Sequence, residues 1–154
     1  MREMLSAYNL SSLSLLLSET VVDGGTHVIV VENNLQIRQV AQEIQALLPK
    51  HKDWVISFPD LETLPYDFVT PHPSLIAARM QGLYHLLHKK NHILITSITG
   101  WTQLLPPREF ILKNTLLLCV GEKMTPASFR EIMYQKGYAL VREVHEHGEF
   151  SVRG

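Results

Sequence analysis

Short apolar runs alternate with longer amphipathic stretches along most of the chain. Three of these runs, "HVIVV" (27–31), "WVISF" (54–58) and "HILITSI" (92–98), are β-branched and nearly unbroken. Such runs are typical of strands that are buried on both faces of a parallel sheet. A further run, "TLLLCV" (115–120), has the same character and predicts a fourth strand. The alternation of strands with helices predicts a parallel α/β fold.

The amphipathic stretches between the strands predict two helices with recognisable ends. The first has Asn33 or Asn34 as a potential N-cap and ends at Pro49. Its apolar stripe is Leu35, Val40, Ile44, Leu47 and Leu48. The second has Ser74 as a potential cap and closes with the cations of Lys89 and Lys90. Its stripe is Ile76, Met80, Leu83 and Leu87.

The pattern changes at Gly121. A compact helix follows, with Thr125 as its cap and Gly137 as its stop. "ALVREVHEH" and "EFSVRG" then predict two strands of a new sheet that turn near Gly148. We therefore expect an α/β domain at residues 1–120 and the start of a second, α+β unit at 121–154. Roughly thirty residues are too few to bury a core of their own.

Composition narrows the class of protein. The 154 residues are 45% hydrophobic and 19% charged, which is typical of a globular chain. The 14 Lys and Arg nearly balance the 15 Asp and Glu, so we expect only weak, non-specific affinity for DNA and none for membranes. Cys119 has no partner for an internal disulfide and is predicted to be a small buried hydrophobe. Serines interrupt the Leu-rich stretch at 1–19, which we interpret as a helix of a cytoplasmic protein rather than a signal peptide.

A nucleotide site is not expected. A phosphate loop needs glycines, whose backbone N–H groups surround the phosphates, and a Lys that meets their charge. The first glycine of the chain is Gly24, and no glycine-rich loop leads into Gly-Lys-Ser/Thr. No Gly-x-Ser-x-Gly elbow is present for a serine nucleophile either. The sequence therefore predicts no catalytic residue and no cofactor.

Two constellations have both a chemical and a structural interpretation. His145, His147 and Glu149 alternate, so a strand would place three zinc ligands on one face. With eight histidines in the chain, a polar strand face is the preferred interpretation, and no metal site is predicted. The loop "PDLETLPYDFVTPHP" offers a potential acid/base set at the carboxyl edge of the sheet: Asp60, Glu62, Asp67 and His72. Its prolines instead favour a stiff loop in which Tyr66 and Phe68 pack onto the domain.

Four stretches together resemble a known family: "PDLETLPYDFVTPHP", "ARMQGLYHLL", "ILITSITGWTQLLPP" and "EHGEFSVRG". They are similar to the amino-terminal, UvrB-homology region of the bacterial transcription-repair coupling factor (Mfd), from about residue 26 to 154. The resemblance implies a helicase-like, P-loop NTPase-like domain that has lost its phosphate loop. It is followed by the start of a UvrB domain 2-like module that docks on UvrA. The loop at 59–73 is too short to be the damage-gripping hairpin of UvrB.

The resemblance also implies how the function is divided. The full-length coupling factor is an ATP-dependent DNA translocase that releases stalled RNA polymerase, and it contacts RNA polymerase and DNA through downstream modules. This chain would be a non-catalytic region that recruits UvrA in nucleotide excision repair. Arg153 aligns with an arginine that the coupling factor and UvrB share for contacting UvrA. The alternative is a small independent metal-dependent or nucleotide-binding enzyme, which an equilibrium-binding experiment with ATP and zinc would distinguish.

Overall fold

The computed structural model describes residues 11, 12, 14, 15, 19, 24–63, 66 and 68–152. The first five of these are helical, and the remainder of the predicted amino-terminal helix lies outside the described residues. The elements that follow are β1 (Thr26–Val31), α1 (Asn34–Leu47), a 3₁₀ turn (Lys52–Trp54), β2 (Val55–Phe58), α2 (Pro73–His88), β3 (His92–Ser97), α3 (Ile98–Thr102), α4 (Arg108–Asn114), α5 (Pro126–Gln135), β4 (Ala139–Leu140) and β5 (Glu149–Phe150). None of the helices in the described part of the chain is long and apolar enough to cross a membrane.

The main sheet has three parallel strands in the order β1-β3-β2. The register of β1 against β3 runs from Thr26 opposite His92 to Val31 opposite Ser97. On its other side, β3 pairs with β2 along the whole length of the shorter strand. The helical crossovers α1 and α2 connect these strands, as parallel pairing requires. The prediction of a parallel α/β fold is therefore confirmed for these three strands.

Side chains fix where the two crossover helices begin. The Asn33 side chain accepts a hydrogen bond from the Gln36 N–H at 3.0 Å and caps α1. Helix α2 is capped by His72, whose Nδ1 accepts from the Ser74 N–H at 3.3 Å. The prediction that Ser74 is this cap is wrong because Pro73 takes the first helical position. A proline fits there since the N–H that it lacks has no partner within the helix.

Apolar side chains cover both faces of the sheet. Helix α1 packs on one face, in a cluster formed by Ile29, Val31, Ile37, Val40, Ala41, Ile44, Leu48, Ile93 and Ile95. Helices α2 and α4 pack on the other, in a cluster formed by Ile56, Phe58, Leu83, Leu94 and Ile111. All six residues of β3 are buried, so the prediction of a buried strand in this run is confirmed. The burial predicted for both faces of β1 is wrong, since Val28 and Val30 are 44% and 47% exposed at the edge of the sheet.

The predicted fourth strand is wrong. Residues 115–120 form no strand, and Leu117 and Val120 are 63% and 108% exposed. Cys119, predicted to be buried, is exposed as well. A strand needs a neighbour to satisfy its backbone groups, and within the described residues no strand pairs with this run. Hydrophobicity alone does not specify such a neighbour.

The helix that follows Gly121 has the ends that the sequence predicts. Thr125 caps α5 by accepting from the Ser128 N–H at 3.1 Å, and Gly137 stops the helix with a φ of +83°. The two predicted strands are present but only two residues long. They pair in parallel, with Ala139 opposite Glu149. The turn at Gly148 therefore leads into β5 without forming a hairpin.

Candidate functional site

Polar side chains from three connections meet at the carboxyl edge of the main sheet. Ser97 Oγ donates to Asp60 Oδ2 at 2.7 Å, and the Glu62 N–H donates to Asp60 Oδ1 at 2.8 Å. The Asp60 N–H donates to Asn34 Oδ1 at 3.0 Å, while Asn34 Nδ2 donates to Glu62 Oε1 at 2.7 Å. Asn34, Asp60 and Ser97 are buried. We call Asn34, Asp60, Glu62 and Ser97 the carboxyl-edge network. Their polar groups largely satisfy one another through these hydrogen bonds.

A buried arginine lies next to this network. Arg79 of α2 donates from Nη1 to the Pro59 carbonyl at 2.8 Å, and its guanidinium lies 4.2 Å above the Phe58 ring. Burial lowers the pKa of Arg79, and the negative charge of Asp60 partly opposes that shift. Because both groups are buried and oppositely charged, each reduces the cost of burying the other.

The structure separates the potential acid/base set. Asp60 and Glu62 belong to the network, whereas His72 is exposed and caps α2. Asp67 lies outside the described residues. The predicted packing of Tyr66 and Phe68 is wrong, because both side chains are fully exposed at 98% and 104%. Only the start of the loop is held by the network, so its aromatic rings extend into solvent.

The connection between β1 and α1 is two residues long and is held by side chains. In nucleotide-binding folds, a helix N-terminus after a strand holds the phosphates through free N–H groups. Here the Asn33 side chain takes the Gln36 N–H. Gln36 in turn accepts from the Glu32 N–H at 3.0 Å and donates to the Glu32 carboxylate at 3.2 Å. A carboxylate next to a capped helix end disfavours a bound phosphate.

A second candidate surface is residues 139–152, which we call the terminal segment. Phe150 is 5% exposed and lies edge-on to the rings of Phe129 and Tyr134 of α5, with centroids 6.3 and 5.5 Å apart. The Ala139 N–H donates to the Gly148 carbonyl at 2.8 Å. One buried ring and a short backbone ladder therefore anchor the segment.

The potential metal ligands of the terminal segment do not form the predicted strand face. Residues 146–148 bend and turn, and His145 and His147 are exposed. Glu149 Oε2 instead accepts the N–H groups of His145 and Glu146 at 2.8 and 3.0 Å. These two hydrogen bonds lower the pKa of Glu149. Within the described residues, no group of three or more His, Cys, Asp or Glu side chains is placed to hold a metal ion.

Comparison with known proteins decides the family. No protein-family model matches the chain. The transcription-repair-coupling factor of Haemophilus influenzae is 39% identical over 100 residues, which are 65% of this chain and 9% of that protein. The Escherichia coli factor is 30% identical over 122 residues, or 75% of this chain and 11% of that protein. The Staphylococcus haemolyticus factor is 26% identical over 145 residues, which are 94% of this chain and 12% of that protein.

The chain belongs to the transcription-repair-coupling factor family. It spans about a tenth of the length of the curated relatives that it matches. The resemblance recognised from the sequence is thereby confirmed at the level of the family.

Arg153, the residue that the coupling-factor resemblance assigns to UvrA, lies outside the described residues. The structure places the residues just before it. Ser151 Oγ donates to the Arg142 carbonyl at 3.0 Å, and Val152 is half-buried. Both residues line a groove of about 430 Å³ together with Leu118, Met124 and Phe129. The residues that precede Arg153 are therefore held by a hydrogen bond to Arg142 and border a largely apolar groove.

The hydrogen bonds to Glu149 should make the turn at 146–148 sensitive to acid. A carboxylate whose pKa is lowered by folding stabilises the fold above its unfolded pKa, and the effect is lost as pH falls through the folded pKa. We expect the His145 and Glu146 amide resonances to titrate with a midpoint below the ordinary pKa of a glutamate side chain. Glu149→Gln should abolish that titration, while Glu143→Gln should leave it unchanged. Persistence of the titration in Glu149→Gln would assign it to another group.

Proposed function

We propose that this chain is the UvrB-like, non-catalytic region of a transcription-repair coupling factor and that it recruits UvrA to nucleotide excision repair. The similarity to curated coupling factors carries the proposal. It extends over 94% of the chain in the Staphylococcus haemolyticus protein and therefore includes the main sheet and at least part of the terminal segment. A cytoplasmic location belongs to the same proposal, and the unpaired Cys119 supports it.

The carboxyl edge of the main sheet supports the non-catalytic part of the proposal. Ligands of open α/β sheets bind outside this edge. Here Asp60 and Glu62 point their own carboxylates into the edge and are bound by Asn34 and Ser97. A nucleotide phosphate would meet these negative charges, and in the part of the chain that the structure describes no lysine bonds to the network to offset them. ATP-driven translocation and the release of RNA polymerase are accordingly proposed for other regions of the full-length factor.

We assign UvrA docking to the second unit, residues 121–154, and the helicase-like domain to residues 1–120. The aromatic cluster around Phe150 and the separate β4–β5 pair support this division. With Phe150 anchored inward, continued strand alternation would place Arg153 on the opposite face, together with Glu149 and Ser151. An arginine on such a face can bind a partner carboxylate through two parallel hydrogen bonds, which lysine cannot do.

Replacing Arg153 with Ala should weaken UvrA binding by a coupling factor that carries this segment. A charge-assisted hydrogen bond contributes about 1–3 kcal/mol, so we expect the Kd to rise by roughly 5- to 150-fold. Arg153→Lys should recover only part of this loss, because it keeps the charge but not the planar fork. Isothermal titration calorimetry with purified UvrA measures the change.

Arg142→Ala is the matched control, since it removes an exposed arginine from the terminal segment, which leads directly to Arg153. We expect it to change the Kd less than about threefold, as is usual for a charge at the rim of an interface. Equal affinities for wild-type and Arg153→Ala proteins, with circular dichroism unchanged, would remove Arg153 from the docking surface.

A further inference from the structure

Four lysines lie on two loops at the amino edge of the main sheet, opposite the carboxyl-edge network. Lys50 and Lys52 lie between α1 and β2, and Lys89 and Lys90 lie between α2 and β3. Because β2 and β3 are parallel neighbours, the loops that lead into them lie at the same edge. We call these four residues the basic edge.

A direct contact shows that the two loops are adjacent. Lys89 Nζ donates to the Asp53 carbonyl at 2.9 Å and to Asp53 Oδ2 at 3.1 Å. Asp53 is the sole acidic residue in 48–54 and 88–92. Its negative charge is offset by the ion pair with Lys89. Lys50, Lys52 and Lys90 are exposed, and none of them forms an ion pair with any residue that the structure describes.

Aromatic stacking stiffens the surroundings of both loops. The His51 ring lies 4.1 Å from the Trp54 ring in the first loop. The His88 ring stacks on Tyr84 at 4.2 Å at the end of α2, and His88 Nδ1 lies 2.8 Å from the Tyr84 carbonyl oxygen. Together with the contact between Lys89 and Asp53, these ring contacts hold the two loops in place next to each other. Lysines on loops that are already held lose less freedom when an anion binds.

We propose that the basic edge contacts the phosphate backbone of duplex DNA. A lysine ammonium is a compact point charge without the planar fork of arginine, so it attracts phosphates without selecting a base. The chain as a whole has a net charge of −1, whereas residues 48–54 and 88–92 carry four lysines and a single aspartate. Such an asymmetry orients an approaching polyanion.

This contact gives a location to the weak, non-specific DNA affinity that the composition predicts. It is independent of the proposed docking of UvrA, because none of the four lysines belongs to the terminal segment. Three unpaired ammonium groups neutralise few phosphates, so the complex should dissociate readily as salt is added.

Fluorescence anisotropy with a labelled duplex of about 20 base pairs, measured from about 25 to 200 mM NaCl, tests the proposal. Neutralising about three phosphates predicts a slope of about −2.7 for log K against log salt concentration. The triple variant Lys50→Gln, Lys52→Gln and Lys90→Gln should bring the slope close to zero. Its affinity at about 50 mM salt should fall by roughly tenfold or more.

A control with the same loss of charge is Lys113→Gln, Lys123→Gln and Arg142→Gln, whose side chains lie away from the two loops in sequence and are exposed. It should change the affinity less than about twofold. Equal losses in the two variants, an unchanged slope in the first, or no binding by the wild-type protein at the lowest salt would overturn the proposal. Tighter binding of polyglutamate than of DNA at the basic edge would also overturn it and indicate an acidic protein partner.

Discussion

Asp60→Ala should lower the free energy of unfolding by about 2–4 kcal/mol. The substitution leaves the Ser97 hydroxyl and the Glu62 N–H without the acceptor that they share in the buried network. It also removes the negative charge that partly offsets the buried Arg79 guanidinium. A buried charge that loses its compensation is costly, which places this change among the most destabilising in the main domain.

Urea unfolding followed by circular dichroism measures the effect. Asp60→Asn should lower the free energy of unfolding by less, since its amide keeps one acceptor oxygen. The Ser97 hydroxyl, which donates to Asp60, can accept a hydrogen bond from the new amide instead. Asp53→Ala removes an exposed carboxylate that pairs with Lys89 and should leave stability nearly unchanged. A loss below about 1 kcal/mol for Asp60→Ala would mean that the network does not hold the carboxyl edge.

Phe150→Ala should release the terminal segment while leaving the main sheet folded. Truncating a buried Phe costs about 3–5 kcal/mol, and here it also removes the edge-on contacts with Phe129 and Tyr134. We expect the amides of Ala139 and Val141, which bond to the Gly148 and Phe150 carbonyls, to exchange with solvent about 100-fold faster or more. The amides of β3 should keep their protection.

Val144→Ala is the control, since that side chain is 50% exposed and its truncation should change exchange little. If Phe150→Ala instead accelerates exchange equally in β3 and in the terminal segment, the two unfold as one cooperative unit. That outcome would contradict the division of the chain near residue 121.

The sequence predicts the parts of the fold that depend on local signals. The three strands, the cap at Asn33, the cap at Thr125 and the stop at Gly137 all follow from the residues at each position. The prediction of a strand at residues 115–120 is wrong because an apolar run favours a strand without specifying a neighbouring strand that can pair with it. For α2, Pro73 is the local signal that places the cap at His72 rather than Ser74.

The carboxyl-edge network is partly visible in the sequence. Asn34, Asp60 and Ser97 each stand within three residues of the end of a strand, and the ends of parallel strands meet at one edge. Topology therefore brings them together, although the local sequence indicates only a helix cap at Asn34 and no role for Ser97. The exposed Tyr66 and Phe68 were not predictable, since no local rule shows whether a loop ring finds a partner.

The location of UvrA on the protein can be measured directly by hydrogen exchange of the coupling factor with and without UvrA. The proposed docking predicts increased protection at residues 139–153. It predicts no change at the carboxyl-edge network or at the basic edge. Protection at either of those edges, with residues 139–153 unaffected, would contradict the assignment of UvrA docking to the second unit, residues 121–154.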